Sequence, residues 1–259
     1  MSPSTHSRSD LGIVLRTRPL READLLVTLL TKDHGRLVGV AAHARKSRRR
    51  FGGGLSLGTV GEIDFVERPQ SDLVRLEQIA VVHPPPDVRT PLVRFALFGL
   101  VLNLVEQMSV SHQQGQDKFA LVRTVVAATE ALLPQSLFLY FMVHWLALTG
   151  FAPTMTECAR CGIFCGAAPL VCFASHEGGV ICQTCAPQVR GALPVPSTAR
   201  ALWHDLLEAG APDDVRPLSP EENAFFHTAL WQYLQHVLDR PLAAAPYWPV
   251  LWESSRGIA

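Results

Sequence analysis

Long apolar runs are missing from this sequence. Charged or polar residues interrupt every hydrophobic stretch well before the roughly 18 positions a bilayer-spanning helix needs, so no membrane span is expected. A secretory leader is missing too. The opening MSPSTHSRSD is polar without an apolar centre, and residues 1–10 read as a loose tail. Net charge is absent, since 23 Lys and Arg balance 23 Asp and Glu, and by itself that balance points to no partner. Cysteine is absent outside residues 158–185. A secreted disulfide scaffold would spread its cysteines and need export, so a reducing, cytoplasmic compartment is expected. Also missing are GxSxG, GxGxxG and the Walker A loop. No nucleophile stands with its base, and the ten His are dispersed, so no enzyme is expected.

What is present is a chain of 259 residues, 48% hydrophobic and 18% charged, with mean hydropathy +0.17. That length suits one large domain or two small ones, and the composition supports a buried core. Charge is unevenly spread. Residues 1–80 hold 13 Lys and Arg against 9 Asp and Glu, and the remainder reverses the excess. The front part is thus suited to an anionic partner.

Residues 11–82 read as a small β domain. Leu11, Ile13 and Leu15 alternate with other residues, as do Leu25, Val27 and Leu29. Thr31–Gly35 is a turn, Leu37–Ala41 continues as a strand, and Gly52–Gly54 is a break. Thr59–Val66 and Leu73–Val82 complete five short strands, which fit an oligonucleotide-binding (OB) barrel. His83-Pro-Pro-Pro86 marks a boundary. Helical spacing follows: one helix from Leu92 to about Glu106, a second over Phe119–Leu133, and an apolar third over Gln135–Leu148 that Gly150 stops. Two more are expected, over Thr198–Ala209 and from the Ser219 cap to Leu238, whereas the Trp-rich tail gives no clear pattern. The expected class is therefore α+β and multidomain. An OB-fold β barrel (11–82) precedes an α-helical domain (87–157 and 188–259) that carries a four-cysteine zinc-finger insert (158–187).

The insert rests on Cys158-x-x-Cys161 and Cys182-x-x-Cys185, twenty residues apart. Two-residue spacing aims both sulfurs of a knuckle at one ion, and two knuckles complete a tetrahedron for one structural Zn²⁺. Four thiolates leave no open position for catalysis. The alternatives are a metal-free reduced cluster or a redox pair. Cys165 and Cys172 read as small buried hydrophobes, His176 as a loop residue outside the ligand set, and His144 as a core histidine. Asp213-Asp214 reads as a loop or cap.

The second constellation is basic. Arg45, Lys46, Arg48, Arg49 and Arg50 fill five of six positions, and Arg16, Arg18 and Arg21 precede them. Lys32 and Arg36 flank a turn. A flexible loop with this charge suits phosphate contact, against the plainer reading of a solvated surface. Aromatics are sparse: Phe51 and Phe65 stand alone in the barrel region, and Phe65 reads as core. Binding should therefore be mainly ionic.

Val14-Leu-Arg-Thr-Arg-Pro-Leu-Arg-Glu-Ala-Asp24, Leu29-Leu-Thr-Lys-Asp-His-Gly-Arg36 and Val40-Ala-Ala-His-Ala-Arg-Lys46 resemble the bacterial RecO family. So does Trp145-Leu-Ala-Leu-Thr-Gly-Phe-Ala-Pro153 followed by the first CxxC, in the order of the zinc-bearing branch. The resemblance implies recombination mediation: binding of single- and double-stranded DNA, annealing, and help in loading RecA onto strands coated by single-strand-binding protein (SSB). It implies RecR as a partner, with RecF and SSB beside it, and nucleoid association. DNA contacts would fall to Arg16, Arg18, Lys32, Arg36, Arg45, Lys46, Arg48, Arg49 and Arg50. The competing classes are a zinc-ribbon adaptor that binds protein only, and a thiol or zinc enzyme.

Overall fold

Five strands close on themselves in the first part of the chain. They are β1 (Ser7–Pro19), β2 (Leu25–Thr31), β3 (Gly35–Ala41), β4 (Val60–Val66) and β5 (Leu73–His83). The barrel order is β1-β2-β3-β5-β4, closed by β1 against β4. Only β3 and β5 run parallel; the other pairs are antiparallel. This is the expected OB arrangement. The structure, a computed structural model, describes residues 7–47, 49–68, 70–87, 89–110, 115–166, 171–238 and 240–253. Val14, Val27, Leu29, Leu37, Ile63, Phe65 and Leu76 fill the barrel core.

Two expectations change here. Ser7–Asp10 are strand, not tail, because their backbones pair with β4 from Ser7↔Val66 to Asp10↔Ile63. A polar strand end needs only a ladder partner, which composition does not reveal. Residues 1–6 lie outside the described residues. In β1, Ile13, Val14 and Leu15 are all buried, so strict alternation fails beside the irregularity between Val14 and Arg16.

The chain divides into two compact units, Met1–Pro91 with Phe98–Ala127, and Leu92–Leu97 with Ala128–Ala259. Thus most of helix α1 (Leu92–Met108) and nearly all of α2 (Gln116–Ala128) group with the barrel, not with the later helices as expected. The contacts give the reason. The Phe98 ring fills the space where a side chain on Gly58 would stand, and Gly58 has φ +77. Arg16 reaches Glu106, and Gln116 donates to Asp33 Oδ1 at 2.9 Å. Helix α2 ends at Ala128, five residues short of expectation, where Arg94 donates to the carbonyls of Thr129 and Leu132.

The second unit is built around α3 (Pro134–Thr149), whose residues 136–143, Trp145 and Leu146 are all buried. Gly150 terminates it at φ 79, in the left-handed region open to glycine. Strands β6 (Val171–Ala174), β7 (Gly179–Cys182) and β8 (Leu193–Pro194) form a small sheet in the order β7-β6-β8. Helices α4 (Ser197–Glu208) and α5 (Pro220–Val237) follow. The tail forms α6 (Tyr247–Glu253), held by Trp248 and Trp252 edge-on to Phe138.

Helix α5 opens with a capping box. The Glu222 N–H donates to Ser219 Oγ at 3.2 Å, and Ser219 N–H donates to Glu222 Oε2 at 2.8 Å. Arg216 grips the same carboxylate with both guanidinium nitrogens, at 2.6 and 2.8 Å. The Arg216 bonds outweigh the burial of Glu222 and bring its pKa down to about 2 from 4.5. A depressed carboxylate stabilises the fold above its unfolded pKa, and that contribution disappears as pH falls through the folded value. Unfolding followed against pH should therefore show stability declining from about pH 4.5 to about 2, by about 3 kcal/mol from this group. Glu222→Gln should remove that segment of the profile.

Candidate metal centre and nucleic-acid interface

Two tight turns aim four sulfurs at one point. In the first, Gly162 N–H donates to Cys158 O at 2.8 Å and Cys158 N–H to Ile163 O at 2.8 Å. Gly162 supplies φ +73. In the second, Cys185 N–H donates to Cys182 O at 3.0 Å. Strand β7 delivers Cys182, and a short bridge between Thr154 and Gly179 ties it to the chain leading into the first knuckle. The sulfurs of Cys158, Cys161, Cys182 and Cys185 all lie within 4.8 Å of one another. Cys161 and Cys182 are 3.8 Å apart. A tetrahedron with sulfurs about 2.3 Å from its centre has edges of about 3.8 Å, so the donor set fits an ion of zinc's size.

Electrostatics favour the same use. Burial opposes ionisation of Cys158, but N–H groups of Cys182, Cys161 and Arg160 directed at its sulfur bring the thiol down to about 6. Hydrogen bonding to the Cys182 and Cys161 sulfurs pushes Cys185 up to about 12. Four thiols this close cannot all ionise without a cation among them, and a divalent ion removes that obstacle.

Cys165 and Cys172 stand outside the cluster. Cys165 is buried and donates to Ile163 O at 3.3 Å, and burial pushes its thiol up. Cys172 sits in β6 opposite Ile181. His176 lies 4.0 Å from Glu177, in a short turn away from the sulfurs. His144 is half-buried rather than in the core: it rests against the Tyr140 ring, centroids 4.4 Å apart, and burial lowers its pKa. Asp213 and Asp214 occupy a 3₁₀ turn.

The basic residues separate into three groups. Arg18, at the end of β1, Lys46 and Arg49 are exposed and have no side-chain partner among the described residues. Arg21 and Arg45 are exposed nearby, Arg45 donating to Glu22 O at 3.2 Å. These belong to one end of the barrel, because Arg45 N–H donates to Ala23 O and His43 N–H to Asp24 Oδ1. The loops β1–β2 and β3–β4 are thereby joined.

Arg16 and Arg50 form a second group, whose side chains are engaged within the protein. Arg16 pairs with Glu106 at 3.3 Å, and Glu106 is only 7% exposed, so this guanidinium serves a buried carboxylate. Arg50 donates to Ala42 O at 2.7 Å and to Ser47 Oγ at 3.4 Å, and lies 5.0 Å above the Phe51 ring. Its own carbonyl accepts from Ile79 N–H at 3.0 Å. Lys32 and Arg36 form the third group, at the β2–β3 turn. Seven-residue β2 places them about 20 Å from the first group. Arg48 lies outside the described residues.

The basic stretch is also not a free loop. Ala44–Lys46 make a 3₁₀ turn, entered through His43 at φ 56, and Thr17 Oγ1 donates to Leu55 O at 2.8 Å. Phe51 is in the barrel core, 3% exposed, so it offers no ring to a ligand. Burial of Phe51 and the inward turn of Arg50 share one cause: the hydrophobic ring enters the core and its neighbour's cation packs over it.

These observations define an α+β protein in which an OB barrel with one cationic end is joined to a helical unit carrying a four-cysteine cluster that could hold a metal ion. Residues 6–85 match the family model described as "Recombination protein O N terminal", and residues 89–245 match "Recombination protein O C terminal". The DNA repair protein RecO of Anaeromyxobacter sp. (strain K) is 36% identical over 235 residues, 90% of this chain and 92% of the relative. That of Anaeromyxobacter sp. (strain Fw109-5) is 34% identical over 236 residues, again 90% and 92%. That of Myxococcus xanthus is 31% identical over 240 residues, 92% and 95%. The chain belongs to the RecO family of DNA repair proteins. Among the described residues, no helix is long and apolar enough to cross a membrane.

Proposed function

We propose that this chain binds single- and double-stranded DNA, anneals complementary strands, and helps load RecA onto SSB-coated DNA. The observation that carries the reading is the set of exposed cations at one end of the barrel: Arg18, Arg21, Arg45, Lys46 and Arg49. Two strands repel through their phosphates. Cations presented together on an anchored rim neutralise both backbones and hold them close enough to pair. Base pairing then supplies the free energy and the sequence specificity, so no nucleotide hydrolysis and no catalytic residue are needed.

Cys158, Cys161, Cys182 and Cys185 would hold one zinc ion. With four thiolates it has no open position, so its chemistry is structural: it fixes the two knuckles. RecR, RecF and SSB enter as the protein partners that the family resemblance implies, and the bacterial nucleoid as the place of action.

Annealing of complementary labelled oligonucleotides, followed by fluorescence without ATP, tests the reading. Acceleration that fades as salt is raised from low to moderate is the expected result. No acceleration and no DNA binding would overturn it, and would favour an adaptor that works through protein contacts alone.

A further inference from the structure

Among the described residues the barrel presents cations but no Phe, Tyr or Trp ring. Phe51 and Phe65, its only aromatic residues, are 3% and 0% exposed. Proteins that hold single strands combine phosphate contacts with aromatic faces on which bases stack. Among the described Phe, Tyr and Trp residues the most exposed is Phe164, at 67%, and its neighbour Ile163 is 60% exposed. Both sit on the first metal knuckle, between Cys161 and Cys165.

This ring is not a loose end. Its backbone bridges to Glu157. On one side the Cys158 N–H holds Ile163 O, and on the other the Cys165 N–H holds Thr156 O at 2.7 Å. Arg200, itself 9% exposed, donates to Cys165 O at 2.8 Å. The far edge of the ring rests on Gly166, in the space that a Cβ there would occupy. Glycine thus provides a seat for the edge while the ring stays largely open to solvent. An apolar residue on a soluble surface normally folds inward or is scattered singly. Here two adjacent ones are held outward on a turn tied down at both ends.

We propose that Phe164, flanked by Ile163, is a stacking platform for an unpaired DNA base. The proposal rests on the DNA-binding reading above and assigns it a second contact of different chemistry. The surroundings favour a base over a phosphate. The ribbon's cations Arg160 and Arg190 are equalled in number by Glu157 and Glu177, Arg200 is buried and turned to the Cys165 carbonyl, and four thiolates around a divalent ion would leave net negative charge. Attraction here therefore comes from ring contact, which tolerates salt and any sequence. Duplex DNA, with its bases already stacked, gains nothing from it.

The test uses the full metal-loaded chain and a labelled thymidine oligonucleotide, with affinity read by fluorescence anisotropy. Phe164→Ala should weaken binding roughly five- to hundred-fold, the effect of losing one stacked base. Duplex affinity and the salt slope should be unchanged, because no phosphate contact is removed. Phe164→Tyr should retain affinity, and Gly166→Ala, which displaces the ring, should lose part of it. Oligonucleotides carrying 5-iodouracil should photocrosslink to the peptide containing Phe164. Equal affinity in Phe164→Ala with its metal content intact would overturn the proposal, as would crosslinks confined to the barrel. Should Phe164→Ala lose its metal, the wild-type crosslink and Phe164→Tyr decide. Unchanged DNA affinity with lost RecR binding would assign the ring to a protein and overturn the proposal. Failure of the wild-type chain to bind the oligonucleotide at all would instead refute the DNA-binding reading beneath it.

Discussion

Cys158→Ser is expected to leave the chain without its metal and without an ordered ribbon. Cys158 is the most buried of the four clustered cysteines, at 2%, and its sulfur accepts the Cys182 N–H at 3.3 Å. On the proposed reading it would be a zinc ligand, and it is the hydrogen-bonded link between the two knuckles. A serine hydroxyl is a poor zinc ligand, and metal affinity in such sites is folding free energy. The damage should spread beyond the knuckles. Phe173 on β6 packs against the rings of Phe225 and Tyr233 on α5, with centroids 6.3 and 5.8 Å away. Elemental analysis should find one zinc per wild-type chain and none in the variant. The unfolding midpoint should fall by on the order of 10 °C, since several kcal/mol are lost from a chain of this size. Cys165→Ser supplies the contrast: that thiol is outside the cluster, and its variant should keep the metal. A Cys158→Ser protein that still holds a full equivalent of zinc would show that the sulfur is not a ligand.

Replacing Arg18, Lys46 and Arg49 together with alanine should have the largest effect on DNA. Each is exposed and lacks a side-chain partner among the described residues, so the fold loses little. Each phosphate contact contributes about 0.7 to the salt slope on single strands, so the triple variant should flatten it by about 2. Annealing at low salt should slow correspondingly. Arg16→Ala and Arg50→Ala should behave differently. Arg16→Ala strands the buried Glu106 carboxylate, and Arg50→Ala releases Ala42 O and Ser47, so both should lower stability more than they flatten the slope. An unchanged slope in the triple variant would remove this end of the barrel from the DNA interface.

The contrast between Arg49 and Arg50 shows how far letters reach. Both belong to one basic run, and nothing in its composition separates them. One points to solvent, whereas the other closes a turn over Phe51. Lys32 and Arg36, which flank a turn in the sequence, stand among the DNA contacts that the family resemblance implies. An antiparallel strand carries them to the far end of the barrel. Phe164 gave no signal beyond being apolar in a knuckle, and only its surroundings reveal that it stays open to solvent.

What the sequence determined alone were the features set by local chemistry. Strand alternation defined the barrel, Gly150 and the Ser219 box defined helix ends, and the paired CxxC spacing defined the metal knuckles. Each depends on residues within a few positions of one another, where periodicity and backbone geometry suffice. The remaining features depend on partners far along the chain. Ser7–Asp10 became strand because β4 was there to pair with them, and α6 became a helix whose Trp248 and Trp252 rest on Phe138. Arg16 turned toward Glu106, a buried carboxylate ninety residues away that needed its charge. A buried polar group must find its partner wherever the fold brings one, and that demand is not written in any local pattern.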